Sequence, residues 1–135
     1  MEQARSDSPV VLIVEDEALL RMSLADSLTD CGFLTMEASD AHEAIEILET
    51  ASHVEVVLTD VQMPGTIDGF GLAKWIRENR PGLPVFVASG YSGKFDIASQ
   101  LCGEAQFFTK PYDANEMAAK MMIVVAARRA QAKPK

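Results

Sequence analysis

Apolar strand-like runs alternate with amphipathic helical stripes five times along this chain, and that alternation constrains its fold more than any other feature. The first run, Val10–Val14 (VVLIV), is unbroken and β-branched, as a strand buried on both faces requires. Phe33–Glu37, Val54–Thr59, Pro84–Ala88 and Ala105–Thr109 read as four further strands. Between them lie helical patterns. The first runs through Leu20, Leu24 and Leu28 and is stopped by Gly32. The second has Ala41, Ala44, Ile45 and Leu48 on one face behind a cap at Asp40. The third starts near Asp68, carries Gly69, Leu72, Ala73 and Ile76, and ends at Pro81-Gly82. Ile97, Ala98 and Leu101 mark a short fourth helix before Gly103. Asp113 caps a fifth, apolar at Met117, Ala118, Met121 and Val124 or Val125. Strands alternating with helices of about 10–15 residues predict an α/β fold, a doubly wound parallel sheet with helices on both faces. Right-handed crossovers restrict the topology further.

A chain of 135 residues has room for one such domain, expected over residues 10–128. Residues 1–9 are expected to be a flexible N-terminus and 129–135 a flexible basic tail. The net formal charge is −8. That sign disfavours direct nucleic-acid binding and an anionic membrane surface, and it suits a metal cation where acids converge. Cys31 and Cys102 have no CxxC spacing, so neither a zinc site nor a disulfide scaffold is indicated; both read as small buried hydrophobes. The early apolar run is too short for a signal peptide or a membrane span, so the cytoplasm is the expected location.

In doubly wound sheets, ligands bind at the carboxyl ends of the strands. Glu15 and Asp16 follow the first strand here, and Asp60 follows the third. Ser89 and Gly90 follow the fourth, Lys110 and Pro111 the fifth. If the first and third strands are neighbours, three carboxylates converge and repel unless a cation compensates. A hard divalent ion with oxygen ligands, Mg²⁺ first, is the natural one. Each residue alone has a plainer reading: a strand-end Asp is more often a cap, a Ser a turn residue, a Lys a solvated charge. The argument rests on their joint order at successive strand ends.

The stretches VVLIVEDE (Val10–Glu17), VVLTDVQMPG (Val56–Gly65) followed by DGF (Asp68–Phe70), VFVASGY (Val85–Tyr91) and FFTKPYD (Phe107–Asp113) resemble a response-regulator receiver domain of two-component signalling. The FVASGY stretch also resembles that of single-domain alphaproteobacterial regulators with an FATGY-like motif. The resemblance implies a flavodoxin-like (βα)5 fold with a five-stranded sheet in the order 2-1-3-4-5. It implies that Asp60 is the phospho-acceptor. Mg²⁺ is then held by Glu15, Asp16, Asp60 and the backbone carbonyl of Gln62. Ser89 is the switch hydroxyl, Lys110 binds a phosphoryl oxygen, Phe107 is the switch aromatic, and the bond before Pro111 is cis. The implied donor is a histidine kinase or histidine phosphotransfer protein. The chemistry is self-phosphorylation and dephosphorylation by a signalling domain rather than turnover by an enzyme.

Three positions depart from the family pattern. Glu15 replaces the commoner Asp, which places a water between it and the metal. The loop MPGTIDG (Met63–Gly69) is one residue longer than MPxxDG. Phe107 lacks the phenol hydroxyl found in many members. A flavodoxin would need a phosphate cradle where Glu15-Asp16-Glu17 stands. A haloacid-dehalogenase-type phosphatase wants an acid where Gln62 stands, and a binding-only pseudo-receiver would lack Asp60 or Lys110. The output partner is unknown. It is expected to dock on the fourth helix, fifth strand and fifth helix, with the chain a monomer or a weak phosphorylation-dependent dimer. Met121–Val125 (MMIVV) is more apolar than one buried stripe needs. The alternative is a receiver domain excised from a hybrid histidine kinase or a larger regulator.

Overall fold

The computed structural model describes residues 7–61, 65–89, 106–109 and 113–132. In chain order the elements are β1 (Val10–Val14), α1 (Ala18–Asp30), β2 (Leu34–Ala38), α2 (Ala41–Thr50), β3 (Val56–Asp60), α3 (Gly69–Asn79), β4 (Val85–Ser89), β5 (Gln106–Thr109) and α4 (Ala114–Ala132). The strands form one five-stranded sheet in the order β2-β1-β3-β4-β5, parallel at every described pairing. This is the flavodoxin-like, doubly wound arrangement. The expected fourth helix at Ile97–Leu101 lies outside the described residues, as does Cys102.

The alternation of side chains along each strand builds two cores. Val10, Leu12, Val14, Val57, Val85 and Val87 meet Ala41, Ala44 and Leu48 of α2 and Leu72, Ala73 and Ile76 of α3. On the other face, Val11, Ile13, Val56, Leu58 and Phe86 meet Leu24 and Leu28 of α1 and Met117, Met121 and Val125 of α4. The unbroken apolar run of β1 follows from this double coverage, and all five of its residues are buried. Asp40 caps α2 by accepting from the Glu43 N–H at 2.8 Å. Asp113 does the same for α4, accepting from Asn115 N–H at 2.8 Å.

Several expected boundaries shift. Phe33 does not open β2. Gly32 turns the chain with a φ of +104°, and Phe33 drops into the core while its N–H bonds to Leu28 at 3.0 Å. The ladder starts when Leu34 N–H reaches the Pro9 carbonyl at 2.9 Å, so Pro9 already belongs to the packed domain. Helix α4 runs to Ala132, past the expected boundary at residue 128. Arg129 holds it there: its guanidinium bonds Glu55 at 2.6 Å and the Asp7 carbonyl at 2.9 Å. Cys31 is half-buried rather than buried, its thiol donating to Asn115 Oδ1 at 3.2 Å. On α4, Met121 and Val125 are buried, Met122 and Val124 half-buried, and Ile123 is 69% exposed. Among the described residues, no helix is long and apolar enough to cross a membrane.

Candidate functional site: an acid cluster at the strand ends

Strands β1 and β3 are hydrogen-bonded neighbours, with Val14 opposite Thr59. The condition set by the sequence is therefore met: Glu15 and Asp16 leave β1 beside Asp60 at the end of β3. Glu15, Asp16 and Asp60 each present a carboxylate oxygen, and these oxygens all lie within 4.8 Å of one another. Glu15 is buried, Asp16 exposed and Asp60 half-buried, so the cluster spans from the interior to solvent.

Local bonds fix each arm. Glu15 N–H continues the ladder to Ala38 at 3.0 Å. Its carboxylate Oε2 accepts from Glu17 N–H at 3.1 Å. Arg21, one turn into α1, donates from Nη1 to the Glu15 carbonyl at 2.8 Å and from Nε to Glu37 of β2 at 3.1 Å. The side chain of Arg21 thereby ties α1, the acid turn and the edge strand together. Beyond Asp60, Val61 N–H reaches the Ala88 carbonyl at 3.1 Å, and Gly69 N–H returns to the Val61 carbonyl at 2.8 Å. Gly69 lets the start of α3 press onto this backbone. A Cβ there would clash with the Asp60 carbonyl oxygen and stand 2.8 Å from Val61 Cα. Asp68 caps α3 by accepting from Gly71 N–H at 2.9 Å. The loop touches α2 as well, through His42 Nε2 and Thr66 Oγ1 at 3.2 Å.

The donor set is all carboxylate oxygen, the hard ligand type that Mg²⁺ prefers over sulfur or imidazole. Three such groups at this separation repel one another, and a divalent cation between them removes the repulsion. By its donors the cluster fits that ion.

The remaining predicted residues are placed by register alone or not at all. Asp60 pairs with Ala88, so Ser89 follows one residue further along β4, and Ser89 pairs with Thr109 of β5. Phe107 sits in β5 opposite Val87. The side chains of Ser89 and Phe107 lie outside the described residues, as do Gln62, Gly90, Lys110 and Pro111. Arg21 and His42 were not predicted. Neither carries a local pattern, and their partners Glu37 and Thr66 are brought near only by the tertiary fold.

Comparison with known proteins agrees with the geometry. The family described as the response regulator receiver domain matches residues 11–122. The autoinducer 1 sensor kinase/phosphatase LuxN of Vibrio campbellii is 35% identical over 95 residues, 70% of this chain and 11% of that protein. The sensor kinase CckA of Brucella abortus is 34% identical over 116 residues, 84% of this chain and 12% of that protein. The transcriptional regulator NtrC of Klebsiella pneumoniae is 28% identical over 93% of this chain and 27% of its own length. The chain thus spans between about a tenth and a quarter of these relatives. A response regulator receiver protein from Sinorhizobium medicae superposes with a TM-score of 0.81 at 27% identity, covering 92% of this chain and 99% of that one. The regulator TrrA of Thermotoga maritima has the same fold, with a TM-score of 0.76 at 24% identity over 86% of this chain and 98% of its own. With residues 11–122 matched by one family, and with this sheet order and acid cluster, the chain belongs to the response regulator receiver domains.

Proposed function

We propose that Asp60 accepts a phosphoryl group from a phosphohistidine on a histidine kinase or phosphotransfer protein. The observation that carries this reading is the convergence of Glu15, Asp16 and Asp60 within 4.8 Å at the ends of two adjacent strands. An Asp60 carboxylate oxygen attacks phosphorus in line. The phosphorus–nitrogen bond to the donor imidazole breaks, the imidazole leaves with the bonding pair and takes up a proton, and an acyl phosphate remains on Asp60. Glu15, Asp16 and Asp60 would hold Mg²⁺, with the Gln62 carbonyl as the further ligand that the family resemblance assigns. When bound, the ion supplies positive charge to the phosphoryl oxygens. TrrA is described in complex with Mg²⁺ and BeF, which supports the same use of the acids here.

The chain's own contribution is positioning and electrostatics. The β1–β3 ladder sets the acid spacing, Gly69 seats the Asp60 backbone, and Arg21 fixes the turn that carries Glu15. Lys110 and the Ser89 hydroxyl are assigned the remaining phosphoryl oxygens, and Phe107 of β5 the role of switch aromatic. The output surface is then the fourth helix of the family pattern with β5 and α4, where exposed Ile123 offers an apolar contact to a protein partner or a second copy. The Asp60 chemistry is the same in a response regulator and in a receiver domain that is part of a hybrid histidine kinase or larger regulator.

Incubation with Mg²⁺ and acetyl phosphate, followed by intact-mass measurement, tests the assignment. One phosphoryl group is expected on the wild type and none on Asp60→Asn. Uptake by Asp60→Asn at the wild-type rate overturns it.

A further inference from the structure

Glu15 is held at its N–H, its carbonyl and its carboxylate, and the first two holds lead to the end of the edge strand β2. In the register of the sheet, Ile13 pairs with Glu37 and Val14 with Ala38. The Ala38 carbonyl accepts from Glu15 N–H at 3.0 Å. The Glu15 carbonyl accepts from Arg21 Nη1 at 2.8 Å, and the same guanidinium donates from Nε to Glu37 at 3.1 Å. The third hold is local. Glu15 Oε2 accepts from Glu17 N–H at 3.1 Å, and the Glu17 carbonyl accepts from Arg21 N–H at 2.9 Å. The Glu15 carbonyl belongs to the planar peptide unit that joins Glu15 to Asp16. Holding that oxygen therefore fixes how the two acids are turned relative to each other. Arg21 suits this task. Its side chain is 19% exposed, and its planar fork offers separate donors to the carbonyl and to the carboxylate. Glu37 itself lies outside the acid cluster.

We infer that Arg21 and Glu37 form a strut that sets the affinity of the cation site: Arg21 positions the Glu15–Asp16 peptide, and Glu37 acts on the site through Arg21. The effect on affinity rests on the cation site proposed above; the strut does not. Charge alone predicts the opposite sign for Arg21. A guanidinium beside a cation site repels the cation, so its removal tightens binding if charge is all that matters. Positioning predicts weaker binding on its removal, because the cation must then order the acids itself.

Two measurements on the intact chain separate the claims. The variants are Arg21→Ala, Arg21→Lys, Glu37→Ala and the Arg21→Ala/Glu37→Ala pair. An NMR shift titration with Mg²⁺ at fixed ionic strength reads the affinity. Amide hydrogen exchange of residues 15–17, with no metal present, reads the strut. Arg21→Ala should weaken Mg²⁺ binding about two- to tenfold and speed exchange by a similar factor, the range that one net hydrogen bond of this type allows. Glu37→Ala should act in the same direction to a smaller degree. The pair should match Arg21→Ala alone, because Glu37 acts through the guanidinium. Arg21→Lys keeps the charge but not the fork, so it should fall between the wild type and Arg21→Ala. Tighter or unchanged Mg²⁺ binding by folded Arg21→Ala overturns the positioning role. Should that variant fail to fold, wild-type affinity in both Arg21→Lys and Glu37→Ala overturns it instead. A further loss in the pair overturns the route from Glu37 through Arg21. Unchanged exchange in every variant overturns the strut. A wild type that binds no Mg²⁺ overturns the cation site and the effect on affinity together, while exchange without metal still decides the strut.

Discussion

Glu15 and Asp16 are adjacent in sequence, yet their carboxylates are held differently. Glu15 is only 4% exposed, and one of its oxygens already accepts from Glu17 N–H. Asp16 is exposed and open to a cation and its waters. Asp16→Asn should therefore weaken Mg²⁺ binding more than Glu15→Gln, by about tenfold or more, within the few kcal/mol that a unit charge at this distance supplies. An NMR shift titration with Mg²⁺ measures both variants, and equal losses would remove the indirect role of Glu15. Both acids were legible in the sequence because the pair stands at the end of an apolar run, and so was Asp40 as a cap. Arg21 was not. A lone arginine on a helix reads as a solvated charge, and its bond to Glu37 exists only once β2 lies beside β1.

At the level of elements, the tightest fit is between α3 and the end of β3. Gly69 there is not a turn glycine; its missing side chain makes room for the Asp60 and Val61 backbone. Gly69→Ala ordinarily gains helix propensity, but here it forces a methyl group against main chain that cannot move aside. A net loss of about 1–3 kcal/mol is expected, the usual range for overpacking. Urea denaturation checks this, and a midpoint at or above wild type would show that the backbone yields. The five strand runs and the stripes of α2, α3 and α4 were readable because their residues follow period two or 3.6. The ends were less so. Phe33 is strand-like by composition but is turned inward by Gly32, and α4 outlasts its expected end because Arg129 finds Glu55, a partner 74 residues away. The surplus of apolar residues at Met121–Val125 does surface in part, at Ile123.

Over the whole molecule, the sheet order decides what meets what. With β1 and β3 central and β5 at the far edge, the acids sit in mid-sheet while β4 and β5 lead away from them to the edge opposite β2. Beryllofluoride, a phosphoryl mimic, should with Mg²⁺ change hydrogen exchange in β4, β5 and α4 as well as around Asp60, and leave α2 near its free value. Changes confined to the Asp60 loop would refute signalling through β5. The order 2-1-3-4-5 came from the family resemblance, since alternation alone states only that the strands are parallel. The pairing of β1 with β3 has one more consequence. The Val14–Thr59 rung lies one residue short of Glu15 and of Asp60, so the backbone ladder brings the carriers of the acids side by side. A change that slackens the Val14–Thr59 rung is therefore expected to show first as a looser grip on metal, ahead of any fall in melting temperature.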